Sequence, residues 1–322
     1  MSAALVVLGP QRLEPTLAEA IAAHEAELGV PPGEARFAMI TAGWEEREDE
    51  DSELRAHLAI GGTGSGRMAN LQLFQRAEDV FQRDPELLDA MLAHHARIGE
   101  LQAYYRTRLA HLLEAARTLL ARPGESETLE QAREAAIEDV RRLDAQHLDG
   151  LRAARDAFLE DWRPLERPSV ARHREQIHGD IASAHAVCIA GGHVQILLNR
   201  LRLFGIAELL EDRPVFAWSA GAMALSDRVV VFHDSPPQGP GDAEVLEAGV
   251  GLFDGLVPLP HARRRLRLED PTRVALFARR FGPSLCAVLD EGTRVDRQGT
   301  GWRTAQGTRV LEPGGAVAEV PS

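Results

Sequence analysis

Four short runs in this chain are apolar almost without interruption: ALVVLG near the start, ARFAMITAG, HAVCIAGG and RPVFAWS. Strands that face water on one side alternate apolar and polar residues, and these do not. They suit a parallel sheet buried on both faces. Helical stretches stand between them: LEPTLAEAIAAHEAELG, stopped by Gly29 and the Pro31-Pro32 pair, SVARHREQIHGDIASA, and VQILLNRLRLFGIAELLED with a break expected at Gly205. A further helix is expected within WEEREDEDSELRAHLAI, and ANLQLF reads as a third strand. The tail alternates, in LCAVLDEGTRVD, GWRTAQGTRVLEP and AVAEVPS, which reads as antiparallel strands at one end of the sheet. The expected fold is an α/β three-layer sandwich: a mostly parallel sheet, an antiparallel C-terminal edge, and one long addition.

That addition is a change of period. From Asp84 to about Ala121 apolar residues recur at helical spacing, among them Leu88, Met91, Leu92, Ile98, Tyr105, Leu109 and Ala116. Pro123 and Gly124 interrupt the run, and a second helix is expected from Thr128 to Trp162. Each helix would reach about 50 Å at roughly 1.5 Å per residue. The pair predicts a helical hairpin inserted at 84–165 into a single domain spanning 1–322. Helices this long need a covered apolar stripe, supplied by the same chain, by a second copy in a homodimer, or by a captured partner. His94, His95, His111 and His147 lie on these helices without metal-ligand spacing, and no metal or other cofactor is expected.

The net charge of −13 argues against a partner bound through nucleic-acid phosphates. The glycines of GGTGSG follow no clear strand and lack a Walker lysine, so they read as a loop. Cys188 and Cys286 each sit in an apolar run and read as buried free thiols. No signal peptide or membrane span is read in the sequence, and the expected location is cytoplasmic.

The most informative stretch is RPVFAWSAGAMALSD. Ser219 stands where a buried strand gives way to a helix, and Ala220, Gly221 and Ala222 are small enough to let that helix start tightly. Serine at such a corner is a candidate nucleophile, provided a base stands close and a third group orients the base. The glycine pair of IAGGHVQIL closes a second strand, and Gly192 and Ala220 are the candidate oxyanion donors. His261, 42 residues beyond Ser219, is the candidate base, with His233 as its rival. Asp234 is the candidate orienting acid, and Asp242 and Glu244 could stand in for it.

These segments resemble the S51 serine peptidases, the group that contains dipeptidase E and cyanophycinase, whose fold is related to the class I glutamine amidotransferases. The resemblance rests on Gly191, Gly192 and Leu197, on the elbow Trp218 to Ala222, on His261 with Arg265 and Arg267, and on the Asp290–Thr293 segment D-E-G-T. It covers roughly residues 1–75 and 170–322. It implies Ser219 as nucleophile, His261 as general base and, 15 residues after the serine, Asp234 as the acid. It further implies a substrate pocket at Gly191, His193, Trp218 and Arg265, and a small acidic (aspartyl) peptide or amide as substrate. An amidotransferase would place cysteine where Ser219 stands. The competing reading is a non-catalytic binding or scaffold protein organised by the hairpin. The sequence departs from the family pattern at VLGPQR, at His193, at Ala262 and in the hairpin itself.

Overall fold

The computed structural model describes residues 3–60, 68–210, 212–233, 241–305 and 307–319. The GGTGSG stretch and Asp234 lie outside the described residues. Thirteen strands are described: β1 (Leu5–Leu8), β2 (Phe37–Ile40), β3 (Met68–Asn70), β4 (Ala186–Ile189), β5 (Val215–Trp218), β6 (Arg228–Val231), β7 (Glu244–Ala248), β8 (Leu256–Pro260), β9 (Leu285–Leu289), β10 (Arg294–Gln298), β11 (Gly301–Thr304), β12 (Arg309–Leu311) and β13 (Val317–Glu319). The described α-helices are α1 (Leu17–Ala23), α2 (Glu25–Leu28), α3 (Ser52–Ile60), α4 (Leu73–Arg83), α5 (Pro85–Ala121), α6 (Glu127–Trp162), α7 (Pro168–Ser183), α8 (Val194–Leu203), α9 (Ile206–Leu210), α10 (Ala220–Leu225), α11 (Ala262–Arg265) and α12 (Pro271–Phe281).

The apolar runs become the centre of a seven-stranded sheet ordered β11-β10-β1-β5-β4-β2-β3. β1, β5, β4, β2 and β3 run parallel, and β10 and β11 add an antiparallel edge. Successive side chains of a strand point to opposite faces, and here both faces are covered. Leu5, Val7, Val187, Ile189, Val215 and Ala217 pack into one core with α4, α7, α8 and α10. Val6, Leu8, Ala186, Cys188, Phe216 and Trp218 pack into another with α1 and α3. This is the reason the runs show no alternation.

The tail divides between two sheets. β10 and β11 form the expected antiparallel edge, whereas β9, β12 and β13 join β8 in a separate four-stranded sheet. β9 runs parallel to β8, and α12 makes the crossover between them. The alternation in the tail gives no sign of that helix. ANLQLF also divides: only Met68–Asn70 is strand, and Leu73, Ala77 and Val80 bury one face of α4.

The hairpin forms as the period predicts. Asp84 accepts the Leu87 N–H at the start of α5 and Ser126 accepts the Leu129 N–H at the start of α6. Asp84 also takes both arms of Arg167 at 2.6 Å and the Ser169 hydroxyl at 3.0 Å, which ties the hairpin's entry to its exit. That pairing holds the Asp84 carboxyl down at about 2. The buried stripe differs in detail, with Leu87 buried and Leu92 57% exposed. The outer part of the stripe (Tyr105, Leu109, Leu113, Ile137, Val140, Leu143) packs on β6, β7, β8, β9 and α12. It therefore needs no second copy to cover it. His94 stacks on Phe158, and His147 stacks on Tyr105 and contacts Gln102 at 2.7 Å. No described helix is long and apolar enough to cross a membrane.

Candidate active site

The inner strands deliver their C-terminal ends to one edge of the sheet, where open α/β sheets place their sites. β5 ends at Trp218 and α10 begins at Ala220, leaving Ser219 at φ 50°, ψ −123°. A side chain held in that region is strained, and the strain is stored only where the surroundings enforce it. They do so here through close packing. A Cβ on Gly221 would stand 2.5 Å from the Ile189 carbonyl oxygen, so glycine lets the helix start directly against the end of β4. A Cβ on Gly191 would meet the Ser219 Cβ at 2.7 Å.

Gly192 and Gly43 form a second close approach. Gly192 has φ 113°, and a Cβ there would lie 2.2 Å from the Gly43 carbonyl oxygen. That same carbonyl accepts the His193 N–H at 2.7 Å. Gly43 follows β2 and was not among the sequence candidates. Its requirement arises only when the loops after β2 and β4 touch, and the sole local signal is a glycine just past an apolar strand. Gly192→Ala is therefore expected to lower Tm, because the added Cβ forces the loops after β2 and β4 apart, and a thermal melt checks it.

His261 closes β8. It sits in the left-handed region at φ 57° and donates its backbone N–H to Leu289 O at 3.0 Å. Its Nδ1 is buried and finds no hydrogen-bond partner among the described residues. Burial, and after it the Arg265 guanidinium, push its pKa below the usual imidazole value; Arg264 adds to this, while Glu291 and Asp290 oppose it. The D-E-G-T segment supports this corner. The Asp290 carboxylate accepts the Arg263 N–H at 3.2 Å, just past His261, and Thr293 O accepts the Gly9 N–H at 2.9 Å at the end of β1.

Ser219 and His261 line one cleft of about 670 Å³, with Gly191, Gly192, Trp218, Ala220 and Arg265. His233 also lines it, at the end of the segment that follows β6. Asp242 and Glu244, which could stand in for Asp234, are engaged elsewhere: Asp242 pairs with Arg117, and Glu244 with Arg106 at 2.5 Å. Neither lines the cleft. His193 does not line it either, because its Nδ1 accepts the Ile196 N–H at 3.3 Å and caps α8. The opposite wall went unread in the sequence. It carries Trp44, Arg47, Glu50, Glu53 and His57, with Gln11 and Arg12 from the loop after β1. Gln11 folds that loop by accepting the Thr16 and Leu17 N–H groups at 2.8 Å. The VLGPQR departure thus ends as an ordered rim. Cys188 and Cys286 are buried free thiols; burial pushes both up, Cys286 to about 12.

A family model, Peptidase family S51, matches residues 152–305, a span that includes the glycine pair, the serine corner, His261 and the D-E-G-T segment. Among solved structures, the crystal structure of a peptidase from an acI-B1 Actinobacterium is similar at a TM-score of 0.49 and 14% identity, over 97% of this chain and 92% of that chain. No curated protein matches.

Proposed function

Because the chain belongs to peptidase family S51, we propose that it hydrolyses small acidic peptides or amides through an acyl-enzyme on Ser219. One observation carries the reading. A strained serine and a histidine whose buried Nδ1 has no hydrogen-bond partner among the described residues line the same cleft. Ser219 Oγ attacks the substrate carbonyl as His261 takes its proton. The oxyanion is met by the backbone N–H groups of Ala220 and Gly192. His261 then protonates the leaving amine, the peptide C–N bond breaks, and an ester on Ser219 remains. Water, deprotonated by His261, hydrolyses that ester and restores the serine. Asp234 is assigned to the open Nδ1, since it follows cleft-lining His233 in the chain.

Arg265 and Arg12 supply cationic groups for a substrate carboxylate, and Gly191 and Trp218 shape the wall beside the serine. His193 serves the site from outside it, by capping the helix that starts after the glycine pair.

The test is labelling of the intact protein with a fluorophosphonate probe, beside Ser219→Ala and His261→Ala. Fast labelling that both substitutions abolish is expected. Labelling that survives Ser219→Ala would remove the assignment of the nucleophile. The pH profile gives an independent check. The base must be neutral to act, and its pKa lies below the usual 6.5. Activity should therefore rise with pH along an acid limb centred below that value, and be flat from there to neutrality. A limb centred above 7 for kcat/KM on an aspartyl dipeptide would count against His261.

A further inference from the structure

Residues 241–245 are gripped one after another by side chains from outside their sheet. Among the described residues β7 pairs only with β6, so its other edge would otherwise present unpaired N–H and C=O groups. Helices take that edge. Gly241 O accepts from Arg273 at 3.3 Å, Asp242 pairs with Arg117, and Ala243 O accepts from Arg280 at 2.6 Å. Glu244 takes two nitrogens of Arg106, at 2.5 and 2.8 Å. Val245 donates its N–H to the Tyr105 hydroxyl at 3.1 Å and accepts from the Gln102 amide at 3.2 Å. Gln102, Tyr105, Arg106 and Arg117 all stand on α5. On α6, Asp144 binds Arg280 and Tyr105 at 2.7 to 2.8 Å, and His147 holds Gln102.

The gripped segment leads straight to the cleft. The Gly241 N–H donates to His233 O at 3.0 Å, and Phe232 and His233 line the cleft with Ser219 and His261. A strand edge that needed only cover could have been met by apolar side chains. Here the partners match backbone groups of alternate residues, Gly241, Ala243 and Val245, and the carboxylates of Asp242 and Glu244 between them, and the Val245 bonds are buried, a combination that fixes one geometry. α8, which begins just after the glycine pair, adds Arg202, whose guanidinium binds Glu247 and the Ala248 carbonyl.

We propose that the α5–α6 hairpin is a positioning device for the active site: through Gln102, Tyr105, Arg106 and Arg117 it fixes β7, and with it the cleft wall at Phe232–His233. The proposal rests on the hydrolase reading above. None of the four side chains lines the cleft, so they act through the strand they hold.

The test compares wild type with the double variant Gln102→Leu/Arg106→Met and with Tyr105→Phe, which removes one hydroxyl and keeps the ring. Arg106→Lys serves as the conservative control. Hydrogen–deuterium exchange is followed across residues 228–248, and kcat, KM and the pH profile are measured per fluorophosphonate-titrated site. In the double variant, exchange in that segment should rise at least tenfold. Its kcat per titrated site should fall about tenfold or more, with KM changed less than threefold and the acid limb moved. Tyr105→Phe should show the same pattern in smaller measure, and Arg106→Lys alone should lie nearest wild type. Unchanged kcat and pH profile per titrated site in both variants would overturn the proposal, whatever happens to Tm. A wild type that neither labels nor hydrolyses peptides would instead count against the hydrolase reading. In that event exchange still decides the grip: faster exchange in the variants supports it and unchanged exchange overturns it.

Discussion

Ser219→Ala is expected to lower kcat/KM on an aspartyl dipeptide by roughly 10⁴-fold or more, the usual result of removing a serine nucleophile whose partners act only through it. Ser219→Gly should be equally inactive, yet it should raise stability. Serine and alanine both carry a Cβ and are strained alike at φ 50°, whereas glycine adopts that conformation freely. The relief is on the order of 1 kcal/mol, so the glycine variant should melt above both the alanine variant and the wild type. The neighbours are compatible with this, since a Cβ on Gly191 would already stand 2.7 Å from the Ser219 Cβ. A glycine variant no more stable than the alanine variant would mean that the corner stores no strain. An alanine variant that retained activity would mean that the nucleophile lies elsewhere.

What could be read in the sequence is what depends on neighbours in the chain. The unbroken runs at Leu5–Leu8, Phe37–Ile40, Ala186–Ile189 and Val215–Trp218 announce strands buried on both faces. The two helical periods announce the hairpin to within a residue or two of its ends. The serine corner is legible because its small residues are adjacent in sequence, and the resemblance adds His261 at a distance. Features made by contact between remote segments stayed hidden. Gly43 is required by the Gly191 carbonyl, 2.5 Å from where its Cβ would stand, and nothing around Gly43 says so. The second sheet was missed because its parallel pair, β8 and β9, is created by a crossover through α12. Nothing beside Arg106 and Arg117 in the chain marks them, and only the fold brings them to Glu244 and Asp242.

The same remote contacts set the largest expected effect on stability. Asp144 and Arg280 form an ion pair at 2.7 Å, with side chains only 7% and 2% exposed, and they share the Tyr105 hydroxyl. Two charges removed from water to this degree are costly unless each satisfies the other. Asp144→Ala leaves the Arg280 guanidinium buried with its charge uncompensated and takes the acceptor from Tyr105. The expected cost is about 3–5 kcal/mol, measured as a lower urea midpoint at an unchanged slope. Pairing it with a second substitution, in Asp144→Leu/Arg280→Met, removes the stranded charge and should recover a substantial part of that loss. Recovery should be incomplete, because Arg280 also donates to the Ala243 carbonyl at 2.6 Å and no apolar side chain can replace that bond. A double variant as unstable as Asp144→Ala would show that the loss comes from packing or from the Ala243 contact and not from the buried charge. A loss below about 1 kcal/mol in the single variant, the range of exposed pairs, would show that water reaches the pair, and that the outer hairpin is not sealed against α12.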